Sequence, residues 1–341
     1  GLQSLWTPLS QVPLAITNPN IGVLFVFAVT SVGVYGITIA GWASENKWSL
    51  LGGIRASAQM ISYELSLSLS IVGVLLIVGS LNMYDIIDSQ THVWQWNAFA
   101  QPVAFIMFVI AMFAETNRLP FDLAEGEAEL TGGFHTEYSS MKFALFFLAE
   151  YVNMITVSAV CCTLFLGGYN TIPVEWVVAV IQSALDFIEG TQAGWRFPDT
   201  LAVTLAYLGA PLGLAIKIAF FMFVFIMARA AYPRLRYDQV MNLGWKVLLI
   251  AGLANLVVTA FGIAILTWVG IGAAGAAATE EAMRASVAWT IDNFKWVIGV
   301  VTLAGMIAAE VAYRGRQRRA LKAKYRNYLR PEGSPSALAS A

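Results

Sequence analysis

The sequence predicts an all-α, polytopic integral membrane protein with about seven transmembrane helices. Three observations carry that. Of 341 residues, 58% are hydrophobic and only 12% charged, about half the charge of an ordinary soluble domain at roughly 25%. Mean hydropathy is +0.67, which leaves too little polar surface to cover a soluble globule. The apolar residues gather in runs of bilayer length, and none of the runs alternates with period two as a β-barrel strand would. This composition excludes a single soluble enzyme domain. It also excludes disorder, which needs low hydrophobicity and high net charge. A formal net charge of −1 excludes nucleic-acid binding through bulk positive charge. The 2 Cys are adjacent, at Cys161 and Cys162, and the 2 His are His92 and His135. That set cannot staple a small secreted fold, and it argues against an iron–sulfur cluster or His-ligated haem held by this chain alone.

A membrane helix needs about 20 mostly apolar residues. Seven runs qualify in order: Ile21–Ala43, Gln59–Ser80, Ala98–Phe113, Met141–Gly168, Leu201–Ala230, Leu243–Gly270 and Phe294–Ala312. Residue 1 is Gly and no charge precedes Glu45, so the start lacks the positive region of a signal peptide and reads as an interior or processed piece of a longer product. Lysine and arginine set the orientation. Sixteen fall on one side: Lys47, Arg55, Arg118, Lys142, Arg229, Arg234, Arg236, Lys246 and the eight from Arg314 to Arg330. Three fall on the other: Arg196, Arg284 and Lys295. The sixteen mark the cytoplasmic side and the C-terminus. The organisation is an outer-side stub over 1–20, a membrane domain over 21–270 with an acidic cytoplasmic loop at 115–140, a linker and extra span over 271–313, and a basic cytoplasmic tail over 314–341.

The outer loops carry little chemistry. Trp94 and Trp96 read as interface anchors. Val174–Ile188 has helical apolar spacing and reads as an amphipathic helix on the outer surface. Gly270, Gly272 and Gly275 fit a dinucleotide G-x-G-x-x-G pattern, but that motif works only between a strand and a helix. Here it follows a membrane span, and a flexible exit loop is the better reading.

The informative segment is Glu115–Glu137. It holds Glu115, Asp122, Glu125, Glu127, Glu129 and Glu137 against the single Arg118. Interleaved apolar residues such as Leu119, Phe121, Leu123, Leu130 and Phe134 would be wasted in a solvated loop. A helix over 122–130 would place Asp122, Glu125 and Glu129 on one face, where mutual repulsion raises their pKa values and favours proton sharing. The plainer reading is a solvated charge run. Inside the spans lie Glu64, a few residues into the second, Glu150 in the fourth and Lys217 in the fifth. Intramembrane charges cost about 2.5–3.5 kcal/mol and are usually functional. Glu64 and Glu150 both enter from the end that carries the acidic loop, so a string of protonatable groups leads from the loop into the membrane. Structural hydrogen bonding between helices is the competing reading. Lys217 is the expected counter-charge, paired with a glutamate. Glu310 and Arg314 are spaced for an ordinary i,i+4 pair.

The run Glu115-Thr-Asn-Arg-Leu-Pro-Phe-Asp-Leu123, followed by Glu125, Glu127, Glu129-Leu130, Gly133-Phe134 and Thr136-Glu137-Tyr-Ser-Ser140, resembles the signature loop of the quinone-site membrane subunit of respiratory complex I (the H-type subunit in bacteria, subunit 1 in mitochondria). Gly41-Trp-Ala-Ser44, Ala58-Gln-Met-Ile-Ser-Tyr-Glu64, Pro233-Arg-Leu-Arg-Tyr-Asp-Gln239 and Gly244-Trp-Lys246 agree in order. Leu119 stands where many relatives have Pro or Ala.

The resemblance implies eight family core helices, of which this chain has six, the first span matching the third. Span seven and the basic tail would be a C-terminal addition. It implies a membrane subunit of proton-translocating NADH-quinone oxidoreductase in a bacterial inner membrane, forming the membrane part of the quinone chamber. Glu115, Arg118, Asp122, Glu125, Glu127, Glu129 and Glu137 would be loop or chamber residues, and Glu64, Glu150 and Lys217 a buried relay. The chain would bind no cofactor of its own. Quinone, either ubiquinone or menaquinone, is the substrate, and NADH, FMN and iron–sulfur clusters belong to partner subunits. The partners are the peripheral-arm quinone-site and iron–sulfur subunits, small membrane subunits and antiporter-like subunits, with anionic lipid at the basic tail and no nucleic acid. A membrane anchor of a related hydrogenase or formate hydrogenlyase would share the fold and the loop. A proton-coupled secondary transporter would usually show internal repeats, and none is visible. A purely structural anchor would leave Glu64 and Glu150 unexplained.

Overall fold

The fold was analysed in a computed structural model, which describes residues 17–91, 93–122, 133–169, 199–274 and 280–328. Among these residues every regular element is helical. The helices are α1 (Gly22–Ala43), α2 (Lys47–Val78), α3 (Met83–Asp88), α4 (Asn97–Ala100), α5 (Pro102–Glu115), α6 (Ser140–Phe165), α7 (Asp199–Ala231), α8 (Tyr237–Asn242), α9 (Leu249–Ala274) and α10 (Glu280–Tyr328). Among the described residues six helices are long and apolar enough to cross a bilayer, and α5 is a shorter apolar helix. Residues 170–198, which include the expected helix Val174–Ile188, lie outside the described residues.

Helix α2 is the centre, packed against α1, α5 and α9. Its buried face carries Ser49, Gly52, Ala56, Gln59, Ser62, Ser66, Ser70 and Gly73 at helical spacing, the small-residue seam that lets membrane helices approach closely. The approach is close at α1, where a Cβ on Gly41 would lie 3.2 Å from the Gly53 Cα. A tight turn sets this pair: Glu45 takes φ 52°, and the Asn46 side chain caps α2 by accepting from the Trp48 amide at 3.0 Å.

Helix α2 starts at Lys47, well before the expected Gln59. One face of its first turns is packed against the loop after α5. Ser49 Oγ donates to the Phe134 carbonyl at 3.0 Å, and a Cβ on Gly52 would meet the Gly133 backbone at 2.9 Å. Glu64 therefore sits near the middle of this 32-residue helix, not a few residues from its start.

The third expected span is broken. Pro102 opens α5, and Gln101 before it takes φ −134°, ψ 62°, as a residue preceding proline is pushed from the helical region. The break is filled by polar side chains: Gln101 donates to Thr259 Oγ1 at 2.8 Å, and Asn255 donates to Gln101 Oε1 at 2.9 Å. The sixth span joins α8 to α9 through a π-helical turn, Leu243–Leu248, and Tyr63 Oη donates to the Val240 carbonyl at its mouth at 2.9 Å.

Helix α10 runs unbroken for 49 residues, from within the expected linker through the span and into the basic tail. It lies along α9 and against α4 and α5. Gly299 makes this possible, since a Cβ there would fall against the Phe99 carbonyl and 2.7 Å from that of Ala100.

Candidate functional site

Glu115 ends α5 and is 6% exposed. The chain leaves the helix through Asn117 at φ 49°. Gln59 of α2 fixes this exit, its amide nitrogen donating to the carbonyls of Ala114 at 2.9 Å and Phe121 at 2.8 Å. Arg118 is thereby turned toward α6. Its Nη2 lies 3.3 Å from Glu150 Oε2, and its guanidinium stacks over Tyr151 at 4.7 Å. Asp122, also buried, accepts from Arg234 Nη2 at 2.8 Å, and the Leu235 amide donates to the Pro120 carbonyl at 3.0 Å. The Pro233–Gln239 segment is thus pinned to the acidic loop. At the loop's far end Asn46 donates to Glu137 Oε1 at 2.7 Å, and Tyr138 Oη donates to the Ala40 carbonyl at 2.7 Å.

Among the described residues, two cavities lie between α1, α2, α5 and α6. The larger, about 410 Å³, is bordered by Glu115, Glu150, Asn117, Asn153, Thr30 and Thr156 among apolar residues that include Phe134, Phe146 and Met60. The smaller, about 20 Å³, is bordered by Glu64, Glu115, Thr30 and Thr156 with apolar neighbours, and has room for about one water. Glu115, Thr30 and Thr156 border both. Glu64 accepts from Ser31 Oγ of α1. Glu115 Oε2 has no hydrogen-bond partner among the described residues. Glu64 borders the smaller of these two mainly apolar cavities, Glu150 the larger and Glu115 both, so the three carboxylates follow one another along them, with Arg118 beside Glu150.

Two expectations meet different outcomes. Lys217 is buried, but among the described residues it is not paired with a glutamate. Its Nζ donates to the carbonyls of Leu166 and, at 2.9 Å, Gly168, and sits 4.9 Å over the Trp96 ring. The reason is local: α6 ends at Phe165, and a lysine is well suited to the carbonyls left free at a helix C-terminus. Glu310 and Arg314 do pair, at 2.6 Å. Glu125, Glu127 and Glu129, and with them the expected helix over 122–130, lie outside the described residues.

His135 is the residue that sequence reasoning passed over. It is 6% exposed, packed among Phe134, Phe143, Phe146 and Phe147, with Nε2 3.9 Å from Glu150 Oε1. Burial pushes its imidazole down to about 4. Its signal was a histidine set between two motif pieces of an acidic, phenylalanine-rich loop.

A family model described as NADH dehydrogenase matches residues 2–260. The chain is 47% identical over 257 residues to NADH-quinone oxidoreductase subunit 8 of Rhodothermus marinus, covering 74% of this chain and 71% of that one. It is 44% identical over 272 residues to the H-type subunit of the NADH-quinone oxidoreductase of Salinibacter ruber, covering 78% and 74%. It is 50% identical over 250 residues to the corresponding H-type subunit of Leptospira biflexa, covering 72% of this chain but only 63% of that relative's length. With a family match over residues 2–260 and relatives 44–50% identical over most of its length, the chain belongs to the NADH dehydrogenase family.

Proposed function

We propose that this chain is the H-type membrane subunit of a proton-translocating NADH-quinone oxidoreductase. It forms the membrane part of the quinone chamber and passes the charge change of quinone reduction into the membrane through carboxylates. The observation that carries this reading is the row Glu64, Glu115 and Glu150 along two cavities that share Glu115. Carboxylates held in one low-dielectric space compete for protons, because each negative charge disfavours the next. A charge arriving at the Arg118–Glu150 end redistributes protons along the row. Asp122 and Glu137 anchor the two described ends of the acidic loop, and Glu125, Glu127 and Glu129 add to its acidity. Lys217, bound to carbonyls, holds the far end of α6 against α7.

The chain supplies proton-handling groups and a shaped cavity. Electrons reach quinone from NADH through the FMN and iron–sulfur clusters of partner subunits in the peripheral arm, and small membrane and antiporter-like subunits receive the coupling. The loop and the C-terminus face the cytoplasm, as the lysine and arginine bias predicts. The basic segment from Arg314 to Arg330 meets anionic lipid, with about 1 kcal/mol per cation near the surface.

Glu64→Gln tests the relay. It keeps size and hydrogen bonding to Ser31 but removes titration. The complex assembles, while quinone-linked NADH oxidation and proton pumping fall together. Normal pumping in the assembled variant would reduce Glu64 to a structural residue.

A further inference from the structure

The 3₁₀ turn Gly133–His135 lies at a boundary. Thr136 and Glu137, which follow it, are exposed, whereas His135 is buried. Its ring centroid is 3.7 Å from that of Phe134 and 5.6–5.8 Å from those of Phe143, Phe146 and Phe147. A phenylalanine would serve such a cage. The imidazole instead brings two buried nitrogens with no hydrogen-bond partner among the described residues, and a buried polar group left so is costly. One of them, Nε2, lies 3.9 Å from Glu150 Oε1, while Arg118 Nη2 lies 3.3 Å from Oε2. Glu150 of α6 thus stands between two possible cationic partners, one fixed in charge and one titratable. The charged groups around His135 are Glu150, then Arg118 on the far side of that carboxylate, and Glu115 of α5, which borders the same cavity as Glu150.

We propose that His135 is a relay residue that carries a proton between the exposed turn at Thr136–Glu137 and the carboxylate of Glu150. The proposal rests on the functional reading above and extends it by one residue. In the transfer the Nε2–H bond breaks and an O–H bond forms at Oε1. Imidazolium and carboxylate become imidazole and carboxylic acid, with no change in total charge. A small tilt of the ring brings the two atoms from 3.9 Å to the roughly 2.7–2.9 Å of a charge-assisted hydrogen bond. Neutralising Glu150 removes its attraction for Arg118, so the ion pair loosens as the proton arrives. Burial lowers the imidazole's proton affinity, so it holds a proton less tightly than an exposed histidine would.

The test compares His135→Phe and His135→Gln with the unchanged chain in the assembled, membrane-bound complex. Phenylalanine fills the cage, and glutamine keeps a hydrogen bond but carries no proton. The measurements are NADH oxidation with a hydrophilic artificial electron acceptor, NADH oxidation with quinone, and the pH profile of the quinone-linked rate. The expected result is an unchanged artificial-acceptor rate and a quinone-linked rate at least about tenfold lower, at the modest end for a lost acid–base group. The deficit grows toward alkaline pH, where protons from water are scarce. Either variant with the full quinone-linked rate and an unaltered pH profile overturns the proposal and leaves His135 as aromatic packing. A complex whose unchanged form shows no quinone-linked oxidation that depends on this chain overturns the functional reading itself. The two failures are distinguishable because the second appears before any substitution is made.

Discussion

Arg118 and Glu150 meet at 3.3 Å with side chains only 11% and 13% exposed, tying the segment after α5 to α6 beside the larger cavity, which Glu150 borders. A buried ion pair offsets its own desolvation only while both partners are present, and removing one costs about 3–5 kcal/mol. Arg118→Met and Glu150→Gln are therefore each expected to lower thermal stability of the solubilised complex by that order. The double variant should lose much less than the sum, since neither charge is then left alone. Thermal unfolding of the four forms checks this, and strictly additive losses would show that the two side chains do not interact.

His135 makes stability depend on pH. Its pKa falls from 6.5 unfolded to about 4 folded, so between those values the unfolded chain binds more protons. Stability then rises with pH across that window, is complete above about 6.5, and is lost as pH falls toward 4. The full shift corresponds to a contribution on the order of 3 kcal/mol. His135→Phe should flatten the pH dependence of unfolding between pH 4 and 6.5. An unchanged slope would mean that the imidazole is solvated in the assembled protein.

Gly299 seats α10 on the broken start of α5. Gly299→Ala has no space for its methyl group against the Phe99 and Ala100 carbonyls, and overpacking of this kind costs about 1–3 kcal/mol. Gly305→Ala, on the same helix with nothing within 4 Å, is expected to be neutral or slightly stabilising. Equal effects from both variants would show that α10 is not held at this point.

Asp122 and Arg234 hold the loop to the segment before α8. Arg234→Asp should leave two acids facing each other and raise protease cleavage within residues 119–132. The exchange Asp122→Arg with Arg234→Asp should restore protection. Restoration failing in the exchanged form would assign the protection to the Leu235–Pro120 backbone bond alone.

The helical membrane class and the positions of seven apolar segments were legible in the sequence, because bilayer length and hydropathy are local properties. Helix limits were not. Lys47–Arg55 reads as a polar connection, yet it is helical because Gly52 and Ser49 pack on the loop backbone, a contact between residues far apart in the chain. The break at Gln101 was written in Pro102, but the surrounding apolar run masked it. In the site, Glu64 and Glu150 were visible as charges inside spans, and Arg118 as the one cation among acids. That Glu115 borders both cavities depends on how α1, α2, α5 and α6 meet. Lys217 was misjudged because charge alone suggests a carboxylate partner, whereas the end of α6 offers free carbonyls nearer by. His135 was overlooked because its importance lies in a 3.9 Å distance to Glu150 that no spacing reveals.

The central claim is that the carboxylate row handles protons coupled to quinone reduction, and Glu115 is the carboxylate that borders both cavities. Glu115→Gln preserves shape and removes only the titrating proton. The decisive measurement is proton translocation in membrane vesicles during quinone-linked NADH oxidation by the assembled variant, normalised to its rate with a hydrophilic artificial acceptor. The account predicts that translocation and quinone-linked oxidation fall together by about tenfold or more while the artificial-acceptor rate holds. Undiminished translocation in a fully assembled Glu115→Gln complex would contradict it.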